Sequence, residues 1–279
     1  MKRQLLRLLP FSTKLALRRI YYFPNDLVDR LKGRDSLTPP QGMIYIGTGD
    51  FKEIGDNFKH YFIELANLQP NERVLDLGCG IGRMAVPLTN YLTQEGEYWG
   101  FDIVNKWIAW CKKHISSRFG NFHFQYVDLY NKIYNPKAKV KAIDFRFPFS
   151  DDYFDFVFLT SVFTHMLPSD LEHYLSEVSR VLKQGGRCLI TFFLLNDESR
   201  HLIRTGRSNF DFKHKIEGCL TVDANEPEFA LAYNENIVRG LFARYQLQII
   251  EPIHFGSWCE RATFLDFQDI IVAEKTASN

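Results

Sequence analysis

Apolar and polar positions follow two different periods along this chain, and the two periods take turns. Residues 73–77, 97–101, 121–127, 154–159 and 187–194 are short runs rich in aromatic and branched side chains that read as strands. The run 154–159, Phe-Asp-Phe-Val-Phe-Leu, is apolar enough to be covered on both faces. Between these runs, 56–66, 82–91, 106–117 and 171–182 carry apolar residues at helical spacing. The last of them stops at Lys183-Gln184-Gly185-Gly186, where a glycine suits a left-handed cap. A helix at 236–245 and strands at 247–253 and 266–274 complete the series. Alternation of this kind predicts an α/β fold with a parallel sheet packed between helices.

The pattern fades twice. Residues 128–143 are polar and aromatic and read as a loop. From 196 to 235, Gly206, Gly218 and Pro227 interrupt charged and aromatic residues, and an irregular stretch of that length marks a lid, a binding insert or a small subdomain. The chain shows no repeats and no low-complexity segment.

The junction after the first strand reads Asp76-Leu77-Gly78-Cys79-Gly80-Ile81-Gly82-Arg83. Glycines spaced this way allow the backbone to turn with positive φ and to lie against a ligand, and the helix expected from 82 would aim free N–H groups at it. A dinucleotide fingerprint would need its third glycine where Arg83 stands. About 20 residues on, Asp102 closes the second strand, where a carboxylate can accept from both hydroxyls of a ribose. The plain alternative is a cap for the helix starting near Val104.

Composition adds three expectations. Five cysteines, odd in number and without metal-ligand spacing, fit reduced thiols in a cytoplasmic protein, and Cys79 suits tight packing in the turn better than catalysis. No apolar run is long enough for a transmembrane helix, and Met1 to Pro10, broken by Arg7 and lacking a small-residue cleavage site, does not read as a signal peptide. The net charge of +1 argues against nonspecific nucleic-acid binding by the whole chain, yet nine basic residues face two acidic ones up to Arg34. This basic, leucine-rich arm packs its leucines on the main domain, lies on an anionic membrane surface as a peripheral contact, or grips an acidic substrate.

Four stretches together resemble the class I S-adenosylmethionine-dependent methyltransferases, particularly the type 11 group. They are Val74 to Gly82; Gly100 to Asp102; Phe147 to Asp155; and Glu177 to Gly186, in which Gln184 replaces the usual proline. The resemblance covers roughly 57–193 plus the terminal strands. It implies a doubly wound, mostly parallel seven-stranded sheet of order 3-2-1-4-5-7-6, with the seventh strand antiparallel. Residues 1–55 form an N-terminal helical arm and cofactor-covering segment, and 56–279 the methyltransferase domain with its insert before strand six. S-adenosyl-L-methionine is the implied cofactor: Gly78, Cys79, Gly80 and Gly82 hold its amino-acid part and ribose, Asp102 takes the ribose hydroxyls, Asp76 organises the turn, Ile103 packs on adenine, and Asp128 bonds the adenine amino group.

Methyl transfer needs in-line positioning and, for a hydroxyl acceptor, a base. His165, in Thr160-Ser161-Val162-Phe163-Thr164-His165-Met166 after the fourth strand, is the candidate, set against a histidine that only shapes the pocket. Tyr45 and Phe51, in the glycine-rich segment 44–55, are candidates for an active-site wall, and Tyr130, Asn131, Tyr134 and Asn135 for an acceptor-facing rim; ordinary packing is the alternative for both groups. No metal is expected. The leading expectation is methylation of a small-molecule hydroxyl on a sugar, polyketide, lipid or related metabolite, with carbon and nitrogen acceptors left open. The alternatives are a protein or RNA methyltransferase and a non-catalytic, membrane-associated S-adenosylmethionine-binding protein. Oligomeric state is not legible.

Overall fold

The computed structural model describes residues 10–45 and 49–277. Lys2, Arg3 and Arg7 of the basic arm, the first nine positions of the non-signal segment, and residues 46–48 of the glycine-rich segment lie outside them. Seven strands make the main sheet: β1 (Arg73–Leu77), β2 (Glu97–Asp102), β3 (Phe122–Tyr126), β4 (Phe154–Leu159), β5 (Leu182–Phe192), β10 (Leu247–His254) and β11 (Asp269–Lys275). Their order is β3-β2-β1-β4-β5-β11-β10, the expected 3-2-1-4-5-7-6 plan. β11 runs antiparallel to both neighbours, as expected of the seventh strand.

Contacts divide the chain into two compact units, one of residues up to 61, 69–71 and 78–141, the other of 62–68, 72–77 and from 142 on. In the second, β4 pairs in parallel with β1, Leu75 opposite Val157, and with β5, Leu159 opposite Ile190. Phe154, Phe156, Val157, Phe158 and Leu159 are fully buried, as their continuous apolar run requires of a strand covered on both faces. α5 (Pro168–Val181) starts with proline at its first turn, three residues before the expected 171, because the ring's fixed φ suits a helix start. Gly185 takes φ +73°, but inside a strand that begins at Leu182 rather than 187.

In the first unit, β2 and β3 pair in parallel, Gly100 opposite Phe124. α1 (Phe11–Leu31) is the helical arm. α2 (Phe51–Glu64) starts five residues before the expected 56, on Asp50, whose Oδ1 accepts from the N–H groups of Lys52 and Glu53 at 2.9 Å. The helix expected at 82–91 shrinks to α3 (Ala85–Leu88), wholly buried, with Pro87 inside it lacking the N–H that a longer helix would need. α4 (Asn105–Cys111) continues as a π-helical turn over Lys112–Ser116.

The stretch 196–235 is a folded subdomain. α6 (Asp197–Arg204) is followed by β7 (His214–Ile216), β8 (Cys219–Thr221) and β9 (Leu231–Asn234), which with β6 (Leu194–Leu195) make a second sheet of order β6-β9-β8-β7. Phe193, Leu195, Leu202, Phe212, Ala232 and Trp258 form its own apolar core. Strands of two to four residues are too short for alternation to register, which is why the sequence looks irregular here. α7 (Glu235–Arg244) leads from β9 to β10. All five cysteines are buried and none is in a disulfide among the described residues.

Candidate functional site

The turn after β1 is built from its own backbone bonds. Gly78 and Cys79 donate N–H to Phe101 O at 2.9 and 3.1 Å, Gly82 donates to Cys79 O at 2.9 Å, and Gly80 donates to Asp102 Oδ2 at 2.9 Å. These N–H groups therefore shape the turn rather than wait for a ligand. Gly80, at φ +54°, is open above: an added Cβ would meet nothing within 4 Å. Gly82, at φ +81°, serves packing instead, since a Cβ would lie 2.9 Å from Ile115 Cδ1 and 3.1 Å from Cys111 Sγ. Cys79 packs against Gly100, where an added Cβ would come within 2.9 Å of its own. Asp76 is buried in β1, opposite Phe158 in the ladder.

Asp102 is buried at the end of β2. Its Oδ2 accepts from Gly80 and its Oδ1 from the Val104 N–H at 2.7 Å, so it does cap the chain into α4 as the plain reading held. Each carboxylate oxygen carries two lone-pair sites, so the backbone donors leave acceptor capacity on the carboxylate. Burial pushes its carboxyl up to about 6, against the pull of the backbone donors Val104, Gly80 and Ile103. No cation offsets that burial among the causes of the shift. Ile103 beside it is half-buried.

An aromatic cluster stands next to this carboxylate. Phe11 from α1 makes edge contacts with Tyr45 and Tyr134, both with centroids 4.9 Å apart, and with Trp107 at 5.7 Å. Trp107 Nε1 donates to Met43 O at 3.2 Å, which ties the residues after α1 to α4. Burial pushes the Tyr134 hydroxyl up to about 12, with Tyr45 and Asp102 adding to the effect. Of the sequence candidates, Tyr45 and Tyr134 are thus brought together beside Asp102. Phe51 is buried under the Arg83 guanidinium, 5.7 Å from its ring. Tyr130 is exposed, and Asn131 spends its side chain accepting from the N–H groups of Ile133 and Tyr134. Asn135 Nδ2 donates to Asp128 Oδ1 at 2.9 Å, where Tyr126 Oη also donates at 2.7 Å. Those two bonds hold the exposed Asp128 carboxyl below its ordinary value. Phe11 and Trp107 were missed from sequence, because partners about a hundred residues apart leave no local pattern.

His165 lies in the other unit, on a 3₁₀ turn (Phe163–His165) after β4. Its Nδ1 is 2.9 Å from Glu228 O. A carbonyl can only accept, so Nδ1 carries the proton of the neutral ring and Nε2 keeps its lone pair. Burial holds the imidazole below the ordinary histidine value, although backbone bonds to Glu228 and Phe229 pull the other way. Next to it, the Thr164 hydroxyl is buried with no hydrogen-bond partner among the described residues. Ser161 takes φ +58°, uncommon for a residue with a side chain, and its Oγ donates to Gln268 Oε1 at 3.0 Å. Neither was singled out in the sequence, where only the histidine carried a visible chemical signal.

Residues 75–190 match the model of the family described as "Methyltransferase domain". The ubiquinone/menaquinone biosynthesis C-methyltransferase UbiE of Vibrio vulnificus (strain YJ016) is 29% identical over 138 residues, 49% of this chain and 46% of that protein. The chain thus spans about half the length of the curated relatives it matches. Among solved structures, the PH0226 protein of Pyrococcus horikoshii OT3 superposes with a TM-score of 0.56 at 19% identity, covering 82% of this chain and 93% of that one. The 1,6-didemethyltoxoflavin-N1-methyltransferase of Burkholderia thailandensis, solved with 1,6-didemethyltoxoflavin and S-adenosylhomocysteine, gives 0.51 at 14% identity over 96% and 91% of the two chains. At those identities the two structures share the fold. The matched domain and the sheet order make residues 75–190 similar to the class I S-adenosylmethionine-dependent methyltransferase domain, in which S-adenosylmethionine is the cofactor.

Proposed function

We propose that this chain transfers a methyl group from S-adenosylmethionine to the hydroxyl of a small metabolite. When bound, the cofactor supplies a methyl group already activated on a sulfonium. What remains for the chain is to bind, to orient and to take a proton. Binding rests on Asp102, whose remaining acceptor capacity suits the hydroxyls of a ribose, and on the open space above Gly80. Ile103 and Asp128 are assigned to the adenine, and Tyr45 and Tyr134 to the wall beside the ribose. Gly82 and Cys79 support the turn from within.

What supports the hydroxyl reading is the hydrogen bonding of His165: the Glu228 carbonyl accepts from the Nδ1–H, and burial favours the neutral ring, the form in which a histidine can act as a base. A second reading follows from the UbiE relatives, whose name specifies a carbon acceptor. The same base would serve a carbon made nucleophilic by ionising an adjoining hydroxyl.

The test starts with calorimetric titration of S-adenosylmethionine and S-adenosylhomocysteine into the wild type. Transfer from methyl-labelled cofactor to panels of phenolic, sugar and lipid acceptors follows, with His165→Gln beside the wild type. A general base is worth about 100- to 10,000-fold, so turnover should fall by that factor while cofactor affinity stays unchanged. Near-normal turnover in His165→Gln would remove the base, and failure of the wild type to bind either ligand would remove the function. Product analysis separates oxygen from carbon methylation.

A further inference from the structure

α1 sorts its side chains by chemistry. Phe11 and Leu15 are buried. Its two acids are committed to the turn at 40–42: Asp26 accepts from the Gln41 and Gly42 N–H groups at 2.6 and 3.1 Å and pairs with Arg34 at 3.4 Å, and Asp29 Oδ2 accepts from Gln41 Nε2 at 3.0 Å. The remaining apolar residues do the opposite. Ile20 is 72% exposed, Tyr21 76% and Leu31 80%, and Leu17, Leu27 and Val28 are exposed as well. With about 3.6 residues per turn, positions 17, 20, 21, 24, 27, 28 and 31 fall on one continuous stripe. The same geometry sets Arg19 and Arg30 along one border of the stripe and Lys14 and Lys32 along the other.

A contiguous exposed apolar stripe on a charged helix marks an interaction surface. Two copies paired through it would set basic border against basic border, so a second copy fits poorly. An anionic lipid surface satisfies both features, because the apolar side chains sink below the head groups while lysine and arginine reach back to the phosphates. No helix among the described residues is long and apolar enough to cross a membrane, so such a helix lies in the plane of the surface. We propose that α1 docks along its length on anionic lipid through Leu17, Ile20, Tyr21, Leu27, Val28 and Leu31, with Lys14, Arg19, Arg30 and Lys32 on the head groups.

Co-sedimentation of the full chain with vesicles tests this, using phosphatidylcholine alone and phosphatidylcholine with about 30 mol% phosphatidylglycerol. The wild type should partition onto the anionic vesicles and release as salt rises. The double variants Ile20→Ser/Leu27→Ser and Arg19→Glu/Arg30→Glu should each lose about tenfold or more in partitioning. Both pairs are exposed, so the thermal melt by circular dichroism should not move. Equal partitioning of wild type and variants, equal binding to neutral vesicles, or a wild-type dimer in light scattering that Ile20→Ser/Leu27→Ser dissolves would each overturn the proposal.

Discussion

Two aspartates at strand ends, Asp102 after β2 and Asp269 at the start of β11, pose the same physical problem and are answered differently. Both are buried, and burial pushes both carboxyls up to about 6. Asp269 is surrounded: Arg261 Nη1 lies 3.0 Å from its Oδ1, Gly256 donates to the same oxygen at 2.7 Å, and Leu194 N–H and Trp258 Nε1 donate to Oδ2 at 2.6 and 2.8 Å. Arg261 is held in turn by Glu198 at 3.0 Å and the Gly256 carbonyl at 2.9 Å. Asp102 has backbone donors and, among the described residues, no cation bonded to it. A carboxylate with every site filled pins elements together; one with acceptor capacity left over has room for a ligand. The perturbed acidity alone does not tell them apart, but the partner set does.

The comparison would break most visibly at Asp269. Arg261→Ala should cost about 3–5 kcal/mol of stability in urea unfolding, because it leaves a carboxylate buried without its cation. Cofactor affinity of the folded fraction should be unchanged. Asp102→Ala should act the other way, weakening cofactor binding in calorimetry by about 1.5–3 kcal/mol per lost bond while the melting temperature moves far less than in Arg261→Ala. An equal fall in stability for both variants would erase the distinction.

Protonation sharpens the contrast further. The folded-state value of Asp102 is raised above 3.8, so keeping it ionised costs stability above about pH 6, and that cost vanishes below its unfolded value. Ribose hydroxyls favour the ionised form, so cofactor affinity should fall by about tenfold per pH unit below about 6. In Asp102→Asn that slope should disappear. The smallest expected effect is at Asn196, whose side chain caps α6 in a reciprocal pair with Ser199. Asn196→Ala should cost about 1 kcal/mol in the same unfolding experiment, without touching cofactor binding.

The main sheet was legible because its signals are local and dense. β4 is apolar at every position but Asp155, and the glycine turn and Asp102 sit at a spacing that the backbone itself imposes. The bonds from the N–H groups of that turn to Phe101 O and Asp102 were not legible, since they are made across strands and leave no mark in the motif. Pro87 is visible in the sequence, yet the apolar pattern around it masks its effect on the helix after the turn. The Arg261 and Asp269 pair was invisible, because Arg261 stands in an irregular turn and no period links it to the strand that carries Asp269. So was the cluster of Phe11, Tyr45, Trp107 and Tyr134, which only the fold assembles.

That cluster has an optical consequence. Tyrosine rings packed this close to an indole pass their excitation to it, so light absorbed by Tyr45 and Tyr134 will re-emerge as the fluorescence of Trp107. The indole is also bonded to the Met43 carbonyl and touched by the first residue of α1. Its share of the emission, beside that of Trp99, Trp110 and Trp258, therefore changes with the seating of α1, and a variant that keeps Trp107 alone would turn it into an unlabelled gauge of the N-terminal helix.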